Sequence, residues 1–177
     1  MEASRPTSYN DAMVPAGMRC IVLLTVVLFL AQGTLSAFAQ TGLPLPRFAS
    51  LRASKVHLRT GPGVRYPVEW VYQFRNMPVE ILAEFDNWRK IRDWQGSEGW
   101  VHRTMLAGKR TALVVGGIQP LRRDPSPDSP LVARAEENVL MDVLECGGDW
   151  CRVEAVKTRG WMQRSHFWGV YPTETLN

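Results

Sequence analysis

Cysteine and histidine are scarce in this chain, three of each among 177 residues, and that scarcity narrows the chemistry open to it. A structural zinc site takes four ligands in closely spaced pairs. Cys146 and Cys151 have no second pair at suitable spacing, so no metal is expected. His57, His102 and His166 are scattered and read as surface or hydrogen-bonded residues rather than as ligands or bases. Nucleophilic catalysis needs a Ser, Thr or Cys beside a base and an orienting group, and no serine sits in a recognisable elbow. No glycine-rich phosphate loop opens a helix either, because Gly61-Pro62-Gly63 breaks one strand from the next. The expectation is a protein that is not an enzyme and uses no cofactor.

Long apolar runs are equally rare. The one that stands out is Ile21 to Ala31, directly after Arg19 and followed by small residues from Gly33 to Ala39. That layout is a secretory signal peptide over residues 1–39. Ala37-Phe38-Ala39 offers small residues where a signal peptidase needs them, which places the cut between Ala39 and Gln40. A membrane anchor is the competing reading, but a span needs about 20 mostly apolar residues, and Gln32, Gly33 and Thr34 interrupt this run. Met13 and Met18 are alternative starts to Met1, each leaving a conventional basic leader. Cys20 precedes the apolar run, so it does not suit lipoprotein processing. The expected location is the periplasm or the medium, with no membrane contact after cleavage.

Export bears on the other two cysteines. Cys146 and Cys151 flank Gly147-Gly148-Asp149-Trp150, a four-residue hairpin loop that would set them opposite each other, and an oxidising compartment favours their disulfide. The mature chain keeps 19 of the 21 Lys and Arg and 15 of the 17 Asp and Glu, so its net charge stays at +4. The excess of Arg over Lys raises nucleic-acid binding, but the interspersed acids and the leader argue against it.

The chain from Gln40 onward aligns with itself at an offset of 61 to 63 residues. Leu58-Arg59 meets Leu121-Arg122, Val79-Glu80-Ile81 meets Met141-Asp142-Val143, Trp88 meets Trp150, and Gly99-Trp100-Val101 meets Gly160-Trp161-Met162. Domains are therefore expected at 50–107 and 113–172, joined by a short polar linker from Ala107 to Thr111, with Thr41 to Phe48 extending unpacked ahead of the first.

Short apolar alternations between turn residues indicate about five strands per unit and an all-β fold. Leu131 to Glu145 has helix-forming composition, but its register with the strand-like Pro67 to Ala83 assigns it to β-structure. Units of about 60 residues are marginal alone, so docking or stapling is expected. The seven tryptophans are expected to supply large buried areas.

Val56-His57-Leu58-Arg59-Thr60-Gly61-Pro62-Gly63, with Asn87-Trp88-Arg89-Lys90-Ile91 and Gly99-Trp100-Val101-His102, resembles the bacterial SH3 (SH3b) family. The second unit resembles it more loosely, with Asp124-Pro125-Ser126-Pro127 in place of the Gly-Pro-Gly loop. The resemblance implies two tandem SH3-like barrels of five or six strands, of a kind that often binds peptidoglycan or other envelope components. Nothing resembles the acidic-aromatic loop with which eukaryotic SH3 domains take polyproline.

If Ile91 faces the core, Trp88, Lys90, Arg92 and Trp94 should share the opposite face. Tyr66, Trp70 and Tyr72 follow the loop and would complete a shallow aromatic groove. Aromatic rings interleaved with cations suit a sugar ring and its carboxylates, whereas the alternative is burial or packing between domains. The expected function is recognition of a cell-envelope ligand, either a cell-wall glycan or peptide or, in the second reading, an envelope protein held by a scaffold.

Overall fold

Antiparallel strands build the framework of the described chain, residues 42–177 of a computed structural model. The expected leader, its cleavage point and Cys20 lie outside the described residues. Seven strands form the first sheet: β1 (Arg47–Leu51), β2 (Val56–Arg59), β3 (Val68–Tyr72), β4 (Pro78–Phe85), β5 (Trp88–Arg92), β6 (Glu98–His102) and β7 (Leu106–Ala107). The second holds β8 (Thr111–Val114), β9 (Gln119–Arg122), β10 (Leu131–Ala135), β11 (Leu140–Gly147), β12 (Trp150–Ala155), β13 (Thr158–Gln163) and β14 (Phe167–Trp168). The strand orders, β3-β2-β6-β5-β4-β1-β7 and β10-β9-β13-β12-β11-β8-β14, are the same order moved on by seven. The internal repeat is therefore two copies of one all-β, SH3-like unit.

Local chemistry sets the turns. Asp86-Asn87 closes β4 onto β5 with Asp86 at φ 48°, a left-handed conformation that aspartate tolerates. The β5–β6 turn is organised by buried Asp93, whose carboxylate accepts from the amides of Gln95 (3.0 Å) and Ser97 (2.9 Å) and from the Tyr72 hydroxyl (3.0 Å). Burial, then the charge of Asp93, pushes the Tyr72 phenol well above its ordinary pKa. Where β6 crosses β2, a Cβ on Gly99 would lie 2.6 Å from Leu58 Cγ and 2.9 Å from the Arg59 carbonyl oxygen. Gly160 meets Leu121 Cγ at 2.6 Å and the Arg122 carbonyl at 2.7 Å in the same way. The glycine ahead of each central tryptophan is thus a packing requirement.

The first core is centred on Leu51, Val56, Leu58, Val79, Ile91 and Val101. The second places Leu121, Met141, Val153 and Met162 at the matching positions, with Cys146 and Cys151 beside them. No tryptophan is fully buried, but six bury most of their surface, and only Trp70, 60% exposed, does not. Inward positions of so small a barrel take aliphatic side chains, and the indoles stand at outward or rim positions. Leu131 to Glu145 forms strands β10 and β11 as expected, turned at Asn138 with φ 67°.

Each copy has seven strands rather than five or six, because β1 and β8 and the two-residue β7 and β14 join the sheet. Of the segment expected to extend unpacked, Thr41 to Phe48, the described part ends in packed residues. Arg47 and Phe48 pair with Ile81 and Glu80 on β4, Phe48 is buried, and Leu45 packs on the first core. The linker is shorter than expected too, since Ala107 pairs with Ser50 and Thr111 with Asp142, each inside a sheet.

Phe48 also joins the two barrels. Its ring meets Trp168 edge-on at 4.8 Å and Tyr171 at 4.7 Å, with the Arg110 guanidinium 5.7 Å above it. Beside it the Tyr171 hydroxyl donates to Glu80 Oε1 (2.8 Å), whose other oxygen takes Arg92. The Tyr171 phenol is pushed well up by burial and by that carboxylate. Burial opposes ionisation of Glu174, yet Arg110, the Tyr171 amide and the charge of Arg164 together outweigh it and hold the carboxyl below its usual range.

Candidate functional site

Alternation along three neighbouring strands builds one outward face on the first barrel. Val56 and Leu58 point into the core, which turns His57 and Arg59 out. On β6, Gly99 and Val101 are inward and Trp100 and His102 outward; on β5, Ile91 is inward and Trp88, Lys90 and Arg92 outward. Cross-strand register sets these residues side by side: Trp88 opposite His102, Lys90 opposite Trp100, Arg92 opposite Glu98, and Arg59 opposite Trp100. The Trp88 and His102 rings meet edge to face at 5.5 Å and 85°.

At one end of this face lies a hollow of about 350 Å³, lined by Trp88, His102, His57, Arg59, Lys55 and Val64, with Met105 at its rim. Arg59 Nη1 donates to the carbonyls of Tyr66 (2.7 Å) and Val64 (3.1 Å), so it anchors the Thr60–Pro67 loop while its charge meets no carboxylate among the described residues. Lys55 is exposed and likewise makes no ion pair among the described residues. His102 Nδ1 lies 2.8 Å from Thr104 Oγ1 and accepts from the Thr104 amide (3.4 Å), which orients the ring. The hollow thus combines an aromatic wall, two imidazoles and two cations unpaired with acids, an arrangement suited to a polar ligand with one apolar face and a negative charge.

The residues expected to form the site are dispersed around this hollow. Trp88 lines it. Lys90 stands on the same face, tied to Glu98 at 2.6 Å, and this hydrogen bond chiefly holds the Glu98 carboxyl below its ordinary pKa. Arg92 is bound to Glu80 at the junction with the second barrel, which raises its guanidinium pKa further. Trp94 does not share the face of Trp88: β5 ends at Arg92, the chain turns at Asp93, and the indole packs against the first core. Tyr66 stacks over Gly61, where a Cβ would lie 2.5 Å from its ring. Trp70 stands apart on the edge strand β3, and Tyr72 is buried. His57, Arg59 and His102 were within reach of the alternation rule, since each flanks an inward residue. Lys55, Val64 and Met105 join only because a loop and a turn fold back over β2.

The second barrel repeats the frame without this chemistry. Trp150 lies opposite Gln163 where Trp88 lies opposite His102, and Pro120 and Ile118 stand where His57 and Lys55 stand. Arg122 keeps the structural duty of Arg59, donating to the Ser129 carbonyl at 2.7 Å. Cys146 and Cys151 lie opposite each other on β11 and β12, with Cα atoms 4.1 Å apart and their sulfurs bonded. The C-terminal tail adds a bridge over them, Cys146 donating to the Leu176 carbonyl at 2.8 Å.

The family model for the bacterial SH3 domain matches residues 52–108 and again 115–169. No curated protein matches the chain. Among solved structures, it is similar to NlpC2 from Trichomonas vaginalis, with 12% identity over 73% of this chain and 50% of that one and a TM-score of 0.34. It is also similar to NlpC1 from the same organism, with 15% identity over 78% and 51% and a TM-score of 0.33. The chain spans about half the length of each.

Proposed function

Since the chain belongs to the bacterial SH3 domain family, with two tandem copies of a binding module, we propose that it is an exported, non-enzymatic protein that recognises peptidoglycan at the Trp88 hollow. The observation that carries this reading is the outward grouping of Trp88 with Lys55, His57, Arg59 and His102. A saccharide ring lays its apolar face on an indole, and the cations take the carboxylates that wall glycan and peptide carry. The leader and the cysteine pair support an oxidising compartment outside the inner membrane.

The test is co-sedimentation of the purified, oxidised protein with isolated sacculi at low and moderate salt, beside a Trp88→Ala, His57→Ala variant. Both positions are partly or wholly exposed, so the variant is expected to fold. Saturable binding that survives salt and drops at least about tenfold in the variant is expected, a loss of about 1.4 kcal/mol. A folded variant that pellets like the parent would remove this face as the site.

A second reading, a scaffold for an envelope protein, is favoured by one feature. Edge strand β3 exposes Val68 and Trp70, 40% and 60% accessible, next to backbone groups that a partner strand could pair with. Capture of a specific periplasmic partner that is lost on Trp70→Lys, with sacculus binding absent, would favour the scaffold.

A further inference from the structure

A second cavity in the first barrel has no part in the hollow described above. It measures about 720 Å³, a size typical of small-molecule and peptide sites. Its walls carry five arginines: Arg47, Arg52, Arg89, Arg103 and Arg110. Arg47 and Arg89 share Glu84, whose side chain is fully buried beneath them, and Arg110 is paired with Glu174. Arg47, Arg89 and Arg110 thus each meet a carboxylate, and the cavity keeps an excess of positive charge on the remaining arginines.

The excess resides on two residues. Arg52 uses its Nε to hold the Leu106 carbonyl at 3.2 Å and has no carboxylate partner among the described residues. Arg103, exposed on the one-turn 3-10 helix Arg103–Met105, has no side-chain partner among them. Between these cations the wall is apolar, made by Leu43, Pro44, Phe48, Ile81 and Leu106. Strand β7, the last of its sheet, runs along the cavity through Leu106 and Ala107, its Leu106 amide donating to the Arg103 carbonyl.

We propose that this cavity is a second binding site, for a short acidic peptide. Planar guanidinium forks match carboxylates in a bidentate way, so Arg52 and Arg103 would take acidic groups. The apolar wall would take the side chains between them. A bare anion would leave that wall unused. The site is independent of the sacculus-binding reading, since it shares no residue with the Trp88 hollow.

The experiment is fluorescence anisotropy of the purified protein with a labelled Leu-Glu-Leu-Glu peptide, beside the same peptide with glutamine for glutamate. The acidic peptide is expected to bind saturably, the glutamine peptide at least about tenfold more weakly, and Arg52→Gln, Arg103→Gln to lose about tenfold or more. Arg103→Gln alone, which breaks no hydrogen bond to the described residues, is expected to give part of that loss without any change in thermal midpoint. Trp88→Ala is expected to leave binding unchanged, which separates this site from the proposed wall site. Equal affinity for the two peptides, undiminished binding by the folded arginine variants, or full displacement by millimolar inorganic phosphate would each overturn the proposal.

Discussion

Replacing Gly99 by alanine adds one carbon where β6 crosses β2. That carbon would stand 2.6 Å from Leu58 Cγ, 2.8 Å from Leu58 Cδ1 and 2.9 Å from the Arg59 carbonyl oxygen. Leu58 is 1% exposed and surrounded by core, so it has no empty rotamer to move into. The carbonyl is backbone, and moving it pulls on the Arg59–Trp100 pairing that joins β2 to β6. Overpacking of this kind costs about 1–3 kcal/mol, and in a barrel of this size each kilocalorie lowers the midpoint by roughly 4–8 °C. The assay is urea and thermal unfolding followed by tryptophan fluorescence. Gly108→Ala is the matched control, because no atom lies within 4 Å of its Cβ position and its φ is not left-handed. It is expected to stay within about 0.5 kcal/mol of the parent. Adding Leu58→Ala to Gly99→Ala makes room for the new carbon, so the double variant is expected to lose less than the sum of the two single losses. A Gly99→Ala midpoint equal to that of Gly108→Ala, or strict additivity with Leu58→Ala, would refute the close-packing account.

Reducing the Cys146–Cys151 bond opens a loop of a few residues and is expected to cost about 2 kcal/mol in the chain-entropy model; an unchanged thermal midpoint in dithiothreitol would contradict it. Phe48→Ala removes a buried ring held by Trp168, Tyr171 and Arg110. The expected loss is about 3–5 kcal/mol together with separate unfolding of the two barrels, and a single transition at the parent's midpoint would contradict this. Glu174 has a lowered folded pKa, so its stabilising contribution is complete above the ordinary carboxylate range and is lost as pH falls through that range to the folded value. Glu174→Gln is therefore expected to flatten the acid limb of a stability-against-pH curve, and an unaltered limb would count against the Arg110–Glu174 pair.

Much of the fold is legible in neighbouring residues. Val56-His57-Leu58-Arg59 alternates because one barrel face is wet and the other dry, Asp86-Asn87 and Gln95-Gly96-Ser97 carry the chemistry of their turns, and Cys146 and Cys151 span a loop short enough to bond across. The self-alignment of residues 58–106 with 121–167 reveals two copies although Leu131 to Glu145 leans toward helix on its own. Half of the site is legible by the same rule, since an inward Ile91 dictates an outward Trp88 and Lys90.

Other features depend on contacts between residues far apart in sequence. No local pattern says that Phe48 is buried by Trp168 and Tyr171, residues over a hundred positions away, or that Glu84 lies beneath both Arg47 and Arg89. Trp94 looks outward by simple alternation, yet the strand stops two residues earlier because Asp93 binds the turn amides and the Tyr72 hydroxyl. Strand alternation and turn preference are properties of a few adjacent residues, so the sequence alone determined the tandem barrels, the turns and the cysteine pair. Which outward side chains share a hollow, and which arginines are left without a carboxylate, is decided by strand order and by the docking of one barrel on the other, and only the tertiary structure supplies those.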